Sequence, residues 1–210
     1  MPSDVSIARL RQSLRERFPA AHRFPGVEED AVADFPENEE LKFDAGTVNE
    51  IVGTSGFQGM PMLISRLLDE DRDLPVALVD GRDSFDPESY GNERCGKLLW
   101  IRCSETQQII HVTDLLLKDG NLPLILLDLH LVPQREFSRI PDNLWHRFRT
   151  TARESGSALV VLSPKLTVVS AHSRYFIEGA FTLDHLEKLI PSYRIIADGR
   201  SRMKKTDRVS

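Results

Sequence analysis

Residues 48–68 read V-N-E-I-V-G-T-S-G-F-Q-G-M-P-M-L-I-S-R-L-L and decide the fold. They combine a short apolar strand, a loop with three glycines, and a pattern that can form a helix. This order matches a phosphate-binding loop, in which backbone N–H groups and a helix N-terminus face an anion. The loop positions that would bind a nucleotide are Gly53, Thr54, Ser55, Gly56 and Gly59.

The side chains that give such a loop its chemistry are missing. A working loop reads G-x-x-x-x-G-K-[ST]. Counted from Gly53, the second glycine is replaced by Gln58, and the lysine and hydroxyl positions hold Gly59 and Met60. No lysine is placed for the β- and γ-phosphates, and no hydroxyl is placed for magnesium. The sequence therefore predicts a nucleotide-binding fold without ATPase chemistry, and leaves residual ATP binding open.

Composition favours one globular core. The chain has 210 residues, 40% of them hydrophobic, and a net charge of -5. The pI of about 5.7 argues against a surface that is basic everywhere, so DNA binding would need a local patch. Charges at the N-terminus and the absence of an apolar run near the roughly 18 residues of a membrane span predict a cytoplasmic protein with no membrane partner.

Cysteine and histidine spacing gives no support for a metal site. Cys95 and Cys103 are too few for a disulfide framework or a zinc cage, and too far apart for a C-x-x-C motif. The six histidines show no H-E-x-x-H or H-x-H spacing. We expect neither a metal nor another cofactor.

The two ends of the chain carry the candidate partner-binding residues. Residues 1–20 predict an amphipathic helix that packs on the domain or binds a partner, and residues 21–45 predict an acidic linker. A core over residues 46–198 is followed by a basic tail, residues 199–210, which is usual for a solvated end and can also meet a polyanion or an acidic partner. The candidate residues for a partner or nucleic acid are Arg9, Arg11, Arg15, Arg200, Arg202, Lys204 and Lys205.

The core alternates apolar runs with amphipathic helical patterns. The further runs cover residues 74–80, 97–103, 122–129 and 157–163. Such runs between helices predict a mainly parallel sheet that is buried on both faces and flanked by helices. Residues 174–182 and 192–197 change character, and their partial alternation predicts antiparallel strands at the C-terminal side.

Two helices have clear end signals. Ser104 is a possible N-cap, followed at helical spacing by Ile109, Val112, Leu115 and Leu116 up to Gly120. The second helix, residues 141–155, places Leu144, Phe148 and Ala152 on one face and stops at Gly156.

Function in an open parallel sheet usually sits at the carboxyl ends of the strands. The candidate residues there are Gly53, Asp80, Cys103 and Asp128. In an active ATPase, the position of Asp128 would orient magnesium. The preferred interpretation here is a carboxylate that hydrogen-bonds the glycine loop or caps a neighbouring helix. After Asp80, the segment G-R-D-S-F-D-P predicts a solvated turn whose last acid, Asp86, caps the next helix rather than binding a metal.

Three segments follow one another along the chain. They are N-E-I-V-G-T-S-G-F-Q-G, V-A-L-V-D-G-R-D-S-F-D-P and L-I-L-L-D-L. In this order they resemble the strand with its phosphate loop, the second strand with its turn, and the Walker B strand of the RecA core. The resemblance implies a three-layer α/β fold with a P-loop core. It also implies a nucleotide loop at residues 53–60 and a Walker B acid at Asp128. The catalytic glutamate of active RecA proteins falls at Arg82, a further departure from the working site.

Further segments are the N-terminal arginine-rich stretch ending in R-F-P-A-A-H-R, together with K-L-L-W-I-R-C and A-L-V-V-L-S-P. With them the chain more closely resembles the ImuA family of RecA-related proteins from bacterial SOS mutagenesis operons, in collinear order over about residues 7–198. The family implies a non-catalytic accessory role in damage-induced translesion DNA synthesis. The implied partners are an inactive Y-family polymerase relative and RecA itself.

Other functions remain open. A cell-division inhibitor of the SulA type is a neighbouring possibility among shrunken RecA relatives. An enzyme would be a weak nucleotide-dependent ATPase whose cation comes from Arg66, Arg82 or another subunit. A DNA-binding repair protein would use a basic patch, although the segment after Asp128 is too short to supply the long mobile loops of a recombinase.

Overall fold

The computed structural model describes residues 41–53, 60–69, 75–137, 140–178 and 194–198. The predicted N-terminal helix and basic tail, with all seven of their candidate cations, lie outside these residues. So do loop positions 54–59 and most of the predicted linker. No helix within the described ranges is long and apolar enough to cross a membrane.

Seven strands and five helices make up the described chain. The strands are β1 Val48–Gly53, β2 Val76–Asp80, β3 Leu98–Arg102, β4 Leu124–Asp128, β5 Ala158–Ser163, β6 Arg174–Glu178 and β7 Arg194–Ala197. The helices are α1 Met60–Asp69, α2 Pro87–Cys95, α3 Thr106–Asp119, α4 Gln134–Phe137 and α5 Asp142–Ser155. The predicted alternation of strand and helix is confirmed. The short helix α4 was not predicted.

The strands form one sheet in the order β3-β2-β4-β5-β1-β6-β7. The first six strands pair in parallel, and β7 pairs antiparallel with β6 at one end of the sheet. The predicted mainly parallel sheet with an antiparallel strand at its C-terminal side is therefore confirmed. Parallel neighbours place the carboxyl ends of their strands at one edge, which is where the candidate site lies.

Two apolar clusters lie on the two faces of the sheet. One joins alternate strand residues such as Val48 and Val79 to α3, α4 and α5. The other joins the intervening residues such as Ile51 and Leu78 to α1. Leu41, from the end of the segment predicted as a linker, is buried in this second cluster. Because both faces are covered, the central strands need the continuous apolar runs seen in the sequence.

Two of the three end signals predicted for α3 and α5 are confirmed. Gly120 and Gly156 adopt positive φ values of 70° and 78° after α3 and α5, and their N–H groups bond Leu116 O and Ala152 O, as expected of glycine stops. The predicted face of α5, which contains Leu144, Phe148 and Ala152, is buried. Ser104 is not an N-cap, because α3 begins one residue later with Glu105 in the cap position.

Two expectations of burial were wrong. The buried stripe of α3 contains Ile109, Thr113 and Leu117, whereas Leu115 is 52% exposed. The helix is rotated so that Thr113 faces the core, where its hydroxyl donates to Ile109 O over 2.8 Å. The third apolar run forms β3, which lies at the edge of the sheet, so Leu99 is 47% exposed rather than buried.

Candidate functional site

The carboxyl edge of the sheet brings three of the four predicted residues together and keeps Gly53 apart. Cys103 N donates to Asp80 O over 2.8 Å. Asp80 and Asp128 are register partners on the adjacent strands β2 and β4. Gly53 ends β1, which is separated from β4 by β5. The candidate nucleotide residues Thr54, Ser55, Gly56 and Gly59 lie outside the described residues.

Asp80 is a fully buried carboxylate that organises the turn after β2. Its Oδ1 accepts the N–H groups of Arg82 and Ser84 over 3.2 and 3.0 Å. Its Oδ2 accepts the N–H of Phe85 over 3.0 Å and the indole N–H of Trp100 over 3.2 Å. Burial by itself raises the pKa of Asp80, but these donors outweigh it and hold the pKa below its ordinary value. The carboxylate thus acts as a structural anchor.

Asp128 is also buried, and both of its oxygens are engaged. Its Oδ1 accepts the backbone N–H of His130 over 3.0 Å and lies 2.5 Å from His130 Nδ1. Its Oδ2 lies 3.0 Å from Ser84 Oγ, which is also 3.2 Å from Asp80 Oδ1. Neither partner belongs to a helix, so Asp128 caps no helix within the described residues. A contact with residues 54–59 lies outside the described residues.

Arg82 is turned away from these two acids. Its Nη2 pairs with Glu136 Oε1 on α4, and its Nη1 donates to Ser104 O over 2.7 Å. Thr106 Oγ1 donates to the other Glu136 oxygen over 2.5 Å. The Thr106 hydroxyl and the Arg82 guanidinium hold the pKa of Glu136 below its ordinary value. Arg82 therefore connects the turn after β2 to α4 and to the loop before α3.

Met60 occupies the position at which a working loop has its magnesium-binding hydroxyl. Its side chain is buried in the second apolar cluster with Leu63, Ile64 and Leu67 of α1. At the same end of α1, Tyr90 Oη donates to Pro61 O over 2.8 Å. Burial first, and then the charges of Asp128 and Asp86, raise the pKa of Tyr90 to about 12.

A surface pocket of about 340 Å³ lies between α1 and α2. Its lining contains Pro61, Ser65, Ser84, Asp86, Ser89 and Tyr90. None of these six residues is a lysine or an arginine, so the described lining offers hydroxyl groups and a carboxylate and no cation for a phosphate. The pocket is therefore poorly matched to an anionic ligand.

The turn after β2 behaves as predicted at Asp86. Asp86 Oδ1 accepts the N–H of Glu88 over 3.2 Å, and its Oδ2 accepts from Ser89 Oγ over 2.5 Å, so Asp86 caps α2. Asp83, exposed and at φ 56°, pairs instead with Arg102 over 3.2 Å. No group of three potential metal ligands occurs in the described part of the chain.

Sequence reasoning missed Glu50, a charged residue inside β1. It is fully buried, and its Oε2 accepts from Arg174 Nε over 2.8 Å. Its Oε1 accepts the N–H groups of Thr167 and Val168 over 2.6 and 3.0 Å. A single acid within the apolar run N-E-I-V was the available signal, because a charge in a strand buried on both faces needs a partner.

Comparisons with known proteins give limited information. The sequence matches no protein-family profile and no curated protein. Among solved structures, the chain is similar to a RadB recombinase, with 14% identity and a TM-score of 0.48 over 67% of this chain and 78% of that one. The strand order and register described above are what establish the fold class here.

Proposed function

We propose that this chain is a RecA-like domain that has lost ATPase chemistry and acts through protein–protein contacts. The observation that carries the proposal is the carboxylate of Asp128. In a working site this acid orients magnesium, but here His130 and Ser84 occupy its two oxygens. Asp128 therefore has a structural role in this chain.

Two further features of the described chain do not fit bound Mg-ATP. The buried Met60 side chain supplies no oxygen ligand for magnesium. The guanidinium of Arg82, one of the candidate replacement cations, is held by Glu136 and the Ser104 carbonyl. Freeing this guanidinium for a phosphate would therefore require breaking its contacts with α4 and with the loop before α3.

Calorimetric titration with Mg-ATP and a turnover assay test the loss of chemistry. We expect no turnover above a buffer control, and no change on Asp128→Ala. Micromolar affinity with turnover that falls in Asp128→Ala would overturn the proposal in favour of a weak ATPase.

The biological role that we propose is an accessory one in SOS-induced translesion synthesis. It rests on the collinear sequence resemblance to the ImuA family, and the proposed partners are a Y-family polymerase relative and RecA. Capture of each purified candidate by the full chain tests it, with deletions of residues 1–20 and 199–210 testing the two candidate ends. Absence of binding to both candidates would reject this role while leaving the loss of ATPase chemistry intact.

A further inference from the structure

The loops after β4 and β5 display an unusual share of exposed apolar side chains. Five large apolar side chains in the described chain are exposed, and three of them are Leu131, Leu166 and Val169, at 55%, 58% and 64%. The two loops follow adjacent strands and therefore leave the same edge of the sheet. They also contact each other, since the Lys165 ammonium lies 5.3 Å from the Phe137 ring centroid and Val168 shares a buried cluster with Val132.

The loop after β5 is held by buried polar contacts. Glu50 accepts the N–H groups of Thr167 and Val168, and Arg174 Nη2 donates to Val168 O over 2.7 Å. Ser163 Oγ donates to Lys165 O over 2.8 Å. A buried ion pair gives little net stability compared with an apolar replacement, so its effect here is to fix the loop conformation. Leu166 and Val169 are consequently presented to solvent by a backbone that is already ordered.

The charge of these two loops is opposite to that of the whole chain. Residues 129–137 and 164–173 contain Arg135 and Lys165, and their single acid is Glu136. Glu136 is paired with Arg82 and hydrogen-bonded to Thr106. The net charge of the chain is -5, so an apolar surface with a basic rim is a local departure. Such a surface is complementary to an acidic segment that carries apolar side chains.

We infer that Leu131, Arg135, Lys165, Leu166 and Val169 form a docking surface, here called the loop surface, for an acidic, partly apolar segment of a partner protein. This inference rests on the proposed protein-interaction role and gives it a location in the described core. Apolar side chains on a rigid backbone bind with a smaller entropic cost than those on a mobile loop. The basic rim selects against basic partners.

The test uses isotope-labelled full-length protein and two short synthetic peptides of the same length. One peptide places Leu and Phe among glutamates, and the other has lysines in place of the glutamates. We expect the acidic peptide to shift the amide signals of residues 130–132, 134–137 and 165–170, and the basic peptide to leave them unchanged. A single-stranded oligonucleotide serves as a third probe.

The double variant L166S/V169S should reduce the affinity for the acidic peptide by about fivefold or more, which is the effect of losing an interface contact of ordinary strength. Leu115→Ser is the matched control, because Leu115 is equally exposed but lies on α3. Lys165→Glu should lower the affinity for the acidic peptide and raise the affinity for the basic one.

Three results would overturn the loop surface. These are shifts confined to other residues, equal affinity in L166S/V169S and wild type, or an oligonucleotide that shifts the loops while the acidic peptide does not. The proposed function is tested separately. A polymerase relative captured equally by wild type and L166S/V169S keeps the function and rejects the surface. Peptide binding at the loops without capture of either candidate partner keeps the loop surface and rejects the proposed accessory role.

Discussion

The ring of His130 contacts the carboxylate of Asp128, and its Nδ1 lies 2.5 Å from Oδ1. An ionised carboxylate only accepts hydrogen bonds, so we assign the proton to Nδ1. The same segment places the backbone N–H of His130 on Oδ1 over 3.0 Å. The acid that ends β4 therefore orders the chain that follows it.

Replacing His130 with alanine should destabilise the protein modestly. The variant keeps the backbone N–H on Asp128 and loses the ring donor, for an expected cost of about 1.5–3 kcal/mol, the range for a hydrogen bond to a charged group. Urea unfolding at neutral pH measures this cost. His111→Ala, at an exposed position of α3, is the control and should leave the midpoint unchanged. Equal midpoints for the two variants would show that the His130 ring contributes nothing.

Asp80→Asn should have a larger effect. An asparagine side chain has one oxygen for the four N–H groups that Asp80 now accepts, and its own NH₂ would face two of those donors. We expect a loss of about 3 kcal/mol in the free energy of unfolding, since at least one buried donor is left unpaired. Asp83→Asn, an exposed neighbour, should cost far less.

The same residue should influence stability in acid. Because the folded-state pKa of Asp80 lies below its ordinary value, the unfolded chain binds more protons as the pH falls below about 4. The contribution of Asp80 is fully present above that pH and is lost as the pH falls through the folded-state pKa. Between pH 6 and 2, the free energy of unfolding should therefore fall less steeply in Asp80→Asn than in wild type. An identical slope would contradict the prediction.

Glu50→Ala should be among the most destabilising single substitutions. It leaves the partly buried Arg174 with the more distant carboxylate of Asp198, 3.7 Å away, and it removes the acceptor of two backbone N–H groups. The expected cost is about 3 kcal/mol, the lower end of the range for breaking a buried ion pair. Hydrogen exchange provides the specific signature, because the amides of Thr167 and Val168 should lose protection before the central strands do. Glu88→Ala, on the exposed side of α2, controls for the loss of a carboxylate. Retained protection at both amides would show that Glu50 does not order this loop.

Gly81→Ala tests the contact between the ends of β2 and β4. A Cβ at this position would lie 2.5 Å from Asp128 O, and 3.1 Å from both Ile109 Cδ1 and Val132 Cγ2. The strand ends must separate to admit it, at an expected cost of about 1–3 kcal/mol, as for other overpacked sites. Thermal unfolding provides the measurement. An unchanged melting temperature in Gly81→Ala would contradict this account.

Local signals identified most elements of the described chain. Continuous apolar runs predicted the strands, and Gly120 and Gly156 predicted the ends of two helices. These ends are predictable because a helix that stops in the left-handed conformation favours a glycine at that position. The cap at Asp86 is equally local. Leu115 was misplaced because helical spacing selects a stripe only to within one residue, and packing against the sheet decides which stripe is buried.

The candidate site was only partly predictable. Asp128 was recognised as the acid at the end of an apolar strand, but its two partners could not be named. Ser84 is brought to it by the pairing of β2 with β4, a contact 44 residues apart in sequence. The pairing of Glu50 with Arg174 is likewise invisible locally, since the two residues meet only because β6 lies beside β1.

The sequence by itself determined the alternation of strands and helices, and the mismatch of residues 53–60 with the pattern G-x-x-x-x-G-K-[ST], because both depend on residue type and spacing. Only the tertiary structure decided that β3 is an edge strand, that Arg82 turns to Glu136, and that Asp128 is held by Ser84 and His130. These outcomes depend on which distant strands become neighbours in the sheet. The strand order is determined by the packing of the whole core, and it cannot be read from any single segment.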